Sequence, residues 1–257
     1  MSDEAVKIAL FQMDQIWEDV EENLKKLERA VEEAKSLGAS FLFTPEMSLS
    51  GFTKNAERVA VDEKVLSKIL DLSKGITIGL GYVRKEGDDF KNSYSIVEDG
   101  RILCTYDKIH LFSHGGEHEV YSPGNTLAIC ESRGLRISPL VCYDLRFPCP
   151  FQRVAENADF FVVGASWPSS RKLHWRSLLI ARAIENQAFV VGVNRVGRDP
   201  FFEYSGGSLV VSPWGEVVLE MGDFEGVGFA WVNPKDARKT RDIFPVLNDR
   251  VRNLDFP

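Results

Sequence analysis

The 257-residue sequence predicts an α/β fold in which two helix-covered sheets lie face to face within one domain. Three observations carry that prediction. Short apolar runs of strand length alternate with longer segments whose apolar residues recur every three or four positions, the pattern of a sheet covered by helices. The alternation occurs twice, once in each half of the chain. No Pro-, Ser- or Gly-rich linker separates the halves, so residues 1–257 are expected to form a single domain, with a core over 1–233 and a C-terminal extension over 234–257.

The elements follow in order. Val6–Gln12 reads as a buried strand. Trp17, Val20, Leu24, Leu27, Val31 and Ala34 mark an amphipathic helix that Gly38 closes. Phe41–Phe43 is a second strand, stopped by Thr44-Pro45-Glu46. A helix is expected over Ala56–Ser73, then strands at Ile76–Val83, Asn92–Val97 and Ile102–Cys104, with Asp99-Gly100 as a hairpin turn. The second half repeats the rhythm: strand Leu135–Cys142, helix Pro148–Asn157, strand Phe160–Ala165, helix Lys172–Gln187 and strand Phe189–Val193. Strands at Gly207–Ser212, Val217–Glu220 and Gly226–Val232 complete it.

Composition narrows the function. Apolar residues make up 44% and charged residues 27%, the balance of a globular protein rather than a disordered one. The 31 basic and 38 acidic side chains leave a net charge of −7 with no basic stripe, which argues against nucleic acid as a partner. No apolar run approaches the roughly 18 residues of a membrane span. The start, MSDEAVKIALFQ, lacks the pattern of a secretory leader. Cys104, Cys130, Cys142 and Cys149 form neither a CxxC pair nor a disulfide framework. A soluble cytoplasmic protein is expected.

Three segments join a strand end to a chemically potent side chain, the place where reactive groups gather in α/β sheets. They are Glu46 in FLFTPEMSLSGF, Lys108 in CTYDKIHLF and Cys142 in ISPLVCYDLRFP. A thiol becomes nucleophilic as thiolate, and a nearby ammonium or helix N-terminus lowers its pKa. Lys108 is the available cation, and the turn before the Pro148 helix adds partial positive charge. A carboxylate beside the thiol takes its proton and returns it to a leaving amine, the role open to Glu46. The Lys108 ammonium and the Tyr143 backbone N–H are candidate donors to a tetrahedral oxyanion, where one such donor is worth ~3 kcal/mol. A lone Cys, Glu or Lys is, however, more often a core residue or a solvated charge.

The wording around these residues resembles the nitrilase (carbon–nitrogen hydrolase) superfamily, in its branch of Nit-type and bacterial omega-amidases. The resemblance runs from the first strand to about Gly215. It rests on FTPEMSLSGF, YDKIHLF, YSPGNT, VCYDLRFP, ASWPSSRKLHWRSLLIARAIENQ and VGVNRVG, in family order. It implies a four-layer α-β-β-α sandwich and a cofactor-free thiol amidase working through a cysteinyl thioester. It also implies that Glu46 is the general base, Lys108 the oxyanion-stabilising lysine and Cys142 the nucleophile. A second glutamate is implied between the lysine and the cysteine. The family's spacing to the aromatic before x-Pro-Gly selects Glu117 over Glu119. The resemblance further implies a small linear amide as substrate, an omega-amide of a dicarboxylate such as 2-oxoglutaramate or 2-oxosuccinamate. Other small amides (deaminated glutathione, N-carbamoyl amines) and a non-catalytic interaction protein on the same fold are the alternatives. Pairing of copies into a homodimer or higher oligomer is implied as well, with the tail after Pro234 available to cross to the partner.

Other features of the sequence offer competing readings. His110, His114 and His118 are spaced by four, but Gly115 and Gly116 interrupt any helix that would align them, so no metal is expected. There is no G-x-S-x-G elbow and no complete dinucleotide or Walker pattern. Arg171 and Arg195, each after a strand end, are candidates to meet a substrate carboxylate. Arg146 in CYDLRFP is open to the same role, but an ion pair with an acid such as Asp144 is the preferred reading. Tyr143, Trp167 and Phe112 are expected to line an apolar pocket wall, while Leu178, Ala181, Ala183 and Ile184 read as core or subunit contact.

Overall fold

In the computed structural model, which describes residues 5–251, the two rhythms become two six-stranded sheets. The first half supplies β1 (Val6–Gln12), α1 (Val20–Ser36), β2 (Phe41–Phe43), α2 (Ala56–Val59), α3 (Glu63–Leu72), β3 (Thr77–Glu86), β4 (Asp89–Glu98) and β5 (Arg101–Asp107). The second supplies β6 (Cys130–Ser132), β7 (Leu135–Val141), α4 (Pro148–Val154), β8 (Phe160–Ala165), α5 (Lys172–Asn186) and β9 (Phe189–Asn194). A ribbon of β10 (Val196–Arg198) and β11 (Glu203–Ser205) follows, then β12 (Leu209–Val211), β13 (Val217–Glu220), β14 (Gly226–Val232) and α6 (Pro234–Ile243). One sheet has the order β14-β1-β2-β3-β4-β5 and the other β13-β12-β9-β8-β7-β6. β1, β2 and β3 pair in parallel, as do β7, β8 and β9, so each set presents its carboxyl ends side by side.

The layering follows from alternation along the strands. Ile8, Leu10, Phe41 and Phe43 turn one way and pack with Ile137, Phe160 and Val162 of the other sheet. Their neighbours Ala9, Phe11 and Leu42 turn the opposite way and meet Leu24, Leu27 and Val31 of α1 and Ile69 of α3. Each such buried Leu or Ile stabilises the fold by roughly 1.5–3 kcal/mol relative to exposure. Gly192 on β9 lets Trp175 and Leu179 of α5 close onto the second sheet. The result is the four-layer α-β-β-α order implied by the resemblance.

Several element boundaries differ from expectation. The helix expected over Ala56–Ser73 is two helices. Ala60 leaves the helical region (φ −58°, ψ 132°), and the Asp62 side chain caps α3 by accepting from the Val65 N–H. Trp17 precedes α1 rather than joining it, because Asp19 caps that helix and the Trp17 indole donates to the Phe52 carbonyl. β6 was hidden from periodicity by its shortness; Arg133 and Gly134, both at positive φ, turn it back into β7. β7 stops at Val141, one residue before Cys142.

Residues 234–251 lie against their own chain rather than reaching away from it. Arg238 and Arg241 of α6 bond the buried Asp159 carboxylate, and Arg250 donates to the carbonyls of Gln152 and Glu185. Residues 252–257 lie outside the described residues.

Candidate active site

Glu46 follows β2 after Thr44-Pro45. The segment presses against Gly81 of β3, where a Cβ would lie 2.4 Å from the Pro45 carbonyl oxygen and 2.9 Å from the Glu46 Cα, so this approach requires glycine. The Glu46 carboxyl is 1% exposed. Its Oε1 accepts from Lys108 Nζ at 2.7 Å and from Asn92 Nδ2 at 2.8 Å, and its Oε2 from the Ser166 backbone N–H at 2.9 Å. Ser166 follows β8, so this carboxylate spans the two sheets.

Lys108 follows β5 directly. Its backbone is held on both sides, the N–H donating to the Asn92 carbonyl and the carbonyl accepting from the Gly124 N–H, each at 2.9 Å. The ammonium also donates to Glu117 at 2.8 and 3.1 Å. Glu117 accepts in addition from Asn92 Nδ2 at 2.7 Å and from the Phe112 N–H at 2.6 Å. Of the two glutamates in this loop, Glu117 therefore reaches the lysine, while Glu119 pairs with Lys54 at the surface.

Cys142 opens the 3-10 turn Cys142–Arg146 with φ +44°, a left-handed conformation that costs of order 1–3 kcal/mol for a non-glycine residue. The bend turns its side chain out of the sheet into the pocket beside Glu46 and Lys108. Buried Asp144 holds the turn. Its carboxylate accepts from the Val141 N–H, from Tyr106 Oη at 2.9 Å, and from the N–H of His110, whose Nδ1 lies 2.8 Å away. One carboxylate thus ties the Cys142 turn to the loop that carries Lys108.

The electrostatics correct one expectation. Burial and the Glu46 charge push the Cys142 thiol well above its ordinary value, and Lys108 only partly opposes them. A raised value favours the neutral thiol, against the lowering expected from the nearby lysine. Burial disfavours a charged Glu46, yet the Lys108 ammonium, helped by Asn92, holds its carboxyl below the usual range. Glu117 moves the other way, raised by burial and by the Glu46 charge. Burial also opposes charge on Lys108, but Glu117 and Glu46 together keep it firmly protonated. An ionised base beside a neutral thiol is the arrangement for proton transfer during attack rather than before it.

A pocket opens onto this cluster. Tyr143, Trp167 and Phe112 line it as expected, together with Phe52, Phe202 and Tyr204, which sequence reasoning did not single out. Arg171 lines it also. Arg195 does not: it is fully buried, with its guanidinium over the Tyr204 ring at 4.4 Å, 3.6 Å from the Asp199 carboxylate and donating to the Gln15 carbonyl. Its expected contact with substrate is corrected on that ground. The pairing expected between Arg146 and Asp144 is also absent, since Asp144 is satisfied by Tyr106 and His110, and Arg146 faces the pocket. Asn92 was missed altogether. Its signal was a polar side chain inside a strand, a residue type depleted there.

A family model described as carbon-nitrogen hydrolase matches residues 7–242. This chain is a carbon–nitrogen hydrolase. It is 36% identical to a protein of Bacillus subtilis (strain 168) named 2-oxoglutaramate amidase, over 96% of this chain and 98% of that protein. It is 37% identical to an omega-amidase of Escherichia coli (strain K12), over 95% and 96%. A CN-hydrolase superfamily protein from Xanthomonas campestris, solved with an arsenic adduct in its active site, superimposes with a TM-score of 0.89 at 29% identity, covering 98% and 99%. An amidase variant from Nesterenkonia sp. AN1 superimposes with a TM-score of 0.86 at 25% identity, covering 97% and 95%; that structure shows covalent addition of an acetamide moiety at the active-site cysteine. The carbon–nitrogen hydrolase described here is an enzyme acting on amides. Among its described residues no helix is long and apolar enough to cross a membrane.

Proposed function

We propose that the enzyme hydrolyses the omega-amide of a small dicarboxylate, of the 2-oxoglutaramate or 2-oxosuccinamate type, to the acid and ammonia through a thioester on Cys142. The observation that carries this is the buried cluster of Glu46, Lys108 and Glu117 beside the Cys142 thiol, facing a pocket that Arg146 and Arg171 also line. Glu46 takes the thiol proton as the sulfur attacks the amide carbon. The Lys108 ammonium and the Tyr143 N–H receive the negative charge on the carbonyl oxygen. When the carbon–nitrogen bond breaks, Glu46 returns the proton to the departing ammonia. It then takes a proton from water, which attacks the thioester and releases the acid, and the thiol regains its proton. Glu117 holds the ammonium in place without entering the proton transfer.

The names of the relatives support the choice of substrate class. An ammonia-release assay over omega-amides and N-carbamoyl amines tests it. Release from 2-oxoglutaramate by the native enzyme and none by Cys142→Ala is the expected result; no release from any compound overturns the amidase reading.

Two coarser expectations belong to the same proposal. The enzyme works as a pair of copies, supported by an exposed apolar patch in which Trp214 stacks on Phe244 and Gly215 packs against the exposed Ile184. It works in the cytoplasm, supported by four cysteines that are all free; recovery from an extracytoplasmic fraction would count against this.

A further inference from the structure

Two guanidinium groups stand in the pocket without an acid. Arg146 lies over the Trp167 ring at 4.6 Å and near the Tyr143 ring at 5.9 Å. Arg171 lies against Phe112 at 5.6 Å and Phe202 at 5.9 Å. Among the described residues no carboxylate comes within ion-pair distance of either, although most arginines of the chain have one. The one polar side chain at Arg146 is His174, whose Nδ1 is 3.4 Å from the guanidinium. Burial first, and then the charge of Arg171, pull the Arg146 pKa down, so the two cations are close enough to oppose each other. Among the described residues Glu46 is the only acid lining this pocket, and its oxygens are committed to Lys108, Asn92 and Ser166.

Aromatic faces orient both planar forks without satisfying their N–H donors. Such an arrangement suits an anion with several coplanar acceptors. We propose that Arg146 and Arg171 together form the specificity clamp for the 2-oxo-carboxylate end of the substrate, opposite the amide that Cys142 attacks. This rests on the omega-amidase reading above and sharpens it. A 2-oxo acid offers two carboxylate oxygens and a ketone oxygen in one plane, enough acceptors for two forks. An amino acid amide such as glutamine places an ammonium at the same position, where two guanidiniums repel it and no free carboxylate receives it. The pocket therefore selects 2-oxo acid amides over both neutral amides and amino acid amides.

The test compares kcat/KM by ammonia release for 2-oxoglutaramate, pentanamide (the same chain length with no carboxylate) and L-glutamine, in the native enzyme and in Arg146→Gln, Arg171→Gln and the double variant. The native enzyme is expected to prefer 2-oxoglutaramate over both others. Each single substitution is expected to lower the ratio of 2-oxoglutaramate to pentanamide by roughly 10–100-fold, mainly through KM, because each removes charge-assisted hydrogen bonds to a carboxylate. Arg171→Lys and Arg146→Lys, which keep the charge and lose the fork, are expected to fall between. Circular dichroism of each variant separates loss of selectivity from loss of fold. A native enzyme without preference for 2-oxoglutaramate overturns the omega-amidase reading itself. A preference that survives the double variant overturns the clamp and leaves that reading standing.

Discussion

Replacing Asn92 with leucine is the perturbation that most directly probes how the buried charges are held. The Asn92 side-chain nitrogen donates at 2.8 Å to Glu46 Oε1 and at 2.7 Å to Glu117 Oε1, so one amide group locks both carboxylates around the lysine. Leucine keeps the branched outline of asparagine, is somewhat larger, and donates nothing. Hydrogen bonds to charged groups are worth about 1.5–3 kcal/mol each. Lys108 still serves both carboxylates, so the lower figure applies and the pair sums to ~3 kcal/mol. If that loss falls on the positioned base, kcat drops by ~10²-fold. Asn92 does not line the pocket, so KM is expected to stay near the native value. The pH profile gives a second reading with a definite sign. Burial opposes charge on Glu46, and Lys108 with Asn92 holds its pKa below the ordinary value. Removing one of those donors lets the pKa rise, so the acid limb of kcat moves to higher pH. Steady-state ammonia release from about pH 3 to 9 measures both quantities. An unchanged kcat, or a rise in KM alone with the acid limb in place, would refute the reasoning.

Asp159 ties α6 to the start of β8 by accepting from Arg136, Arg238 and Arg241, and Asp159→Ala leaves three guanidiniums without their carboxylate. Because those arginines are partly solvated, the expected cost is about 2–4 kcal/mol, or a fall in Tm of roughly 5–15 °C. Burial opposes charge on Asp159, but Arg136 and Arg238 outweigh it and place its folded pKa below the ordinary value. The stabilisation is therefore complete above the unfolded pKa of about 4 and fades as pH falls through the folded one. The gap between the melts of the two proteins should be largest at neutral pH and narrow progressively as pH falls below about 4; a gap that does not narrow on acidification contradicts the assignment. On the apolar patch, Ile184→Asp is expected to halve the mass measured by light scattering at micromolar concentration while the Cys142 site stays active. An unchanged mass would place the subunit contact elsewhere.

How far the site was legible depended on the range of each interaction. Glu46, Lys108 and Cys142 stand at strand ends within long motifs, so residue type and local sequence were enough to single them out. Glu117 was separable from Glu119 only through a family spacing, and the geometry that distinguishes them is a reach of 2.8 Å to an ammonium on another segment. The expected lowering of the thiol pKa failed because burial of the sulfur and the charge of Glu46 outweigh the nearby lysine, and burial is set by the fold. Arg146 and Arg195 exchanged their expected surroundings for a related reason. A guanidinium pairs with whatever acid or carbonyl the fold brings near it, and neither Asp199 beside Arg195 nor the absence of an acid beside Arg146 is written into the adjacent residues.

The amino-acid sequence determined the layers of this enzyme and the residue types available for its chemistry, because apolar periodicity, capping side chains and turn residues act over a few positions. Tertiary structure decided which charges meet. Asn92 bridges two carboxylates that lie 46 positions before it and 25 after it, and Ser166 donates to a carboxylate 120 positions earlier. Electrostatic balance inside a protein depends on distance and burial rather than on order along the chain. A neutral thiol beside an ionised base, and two unpaired guanidiniums facing them, exist only once those distances are set.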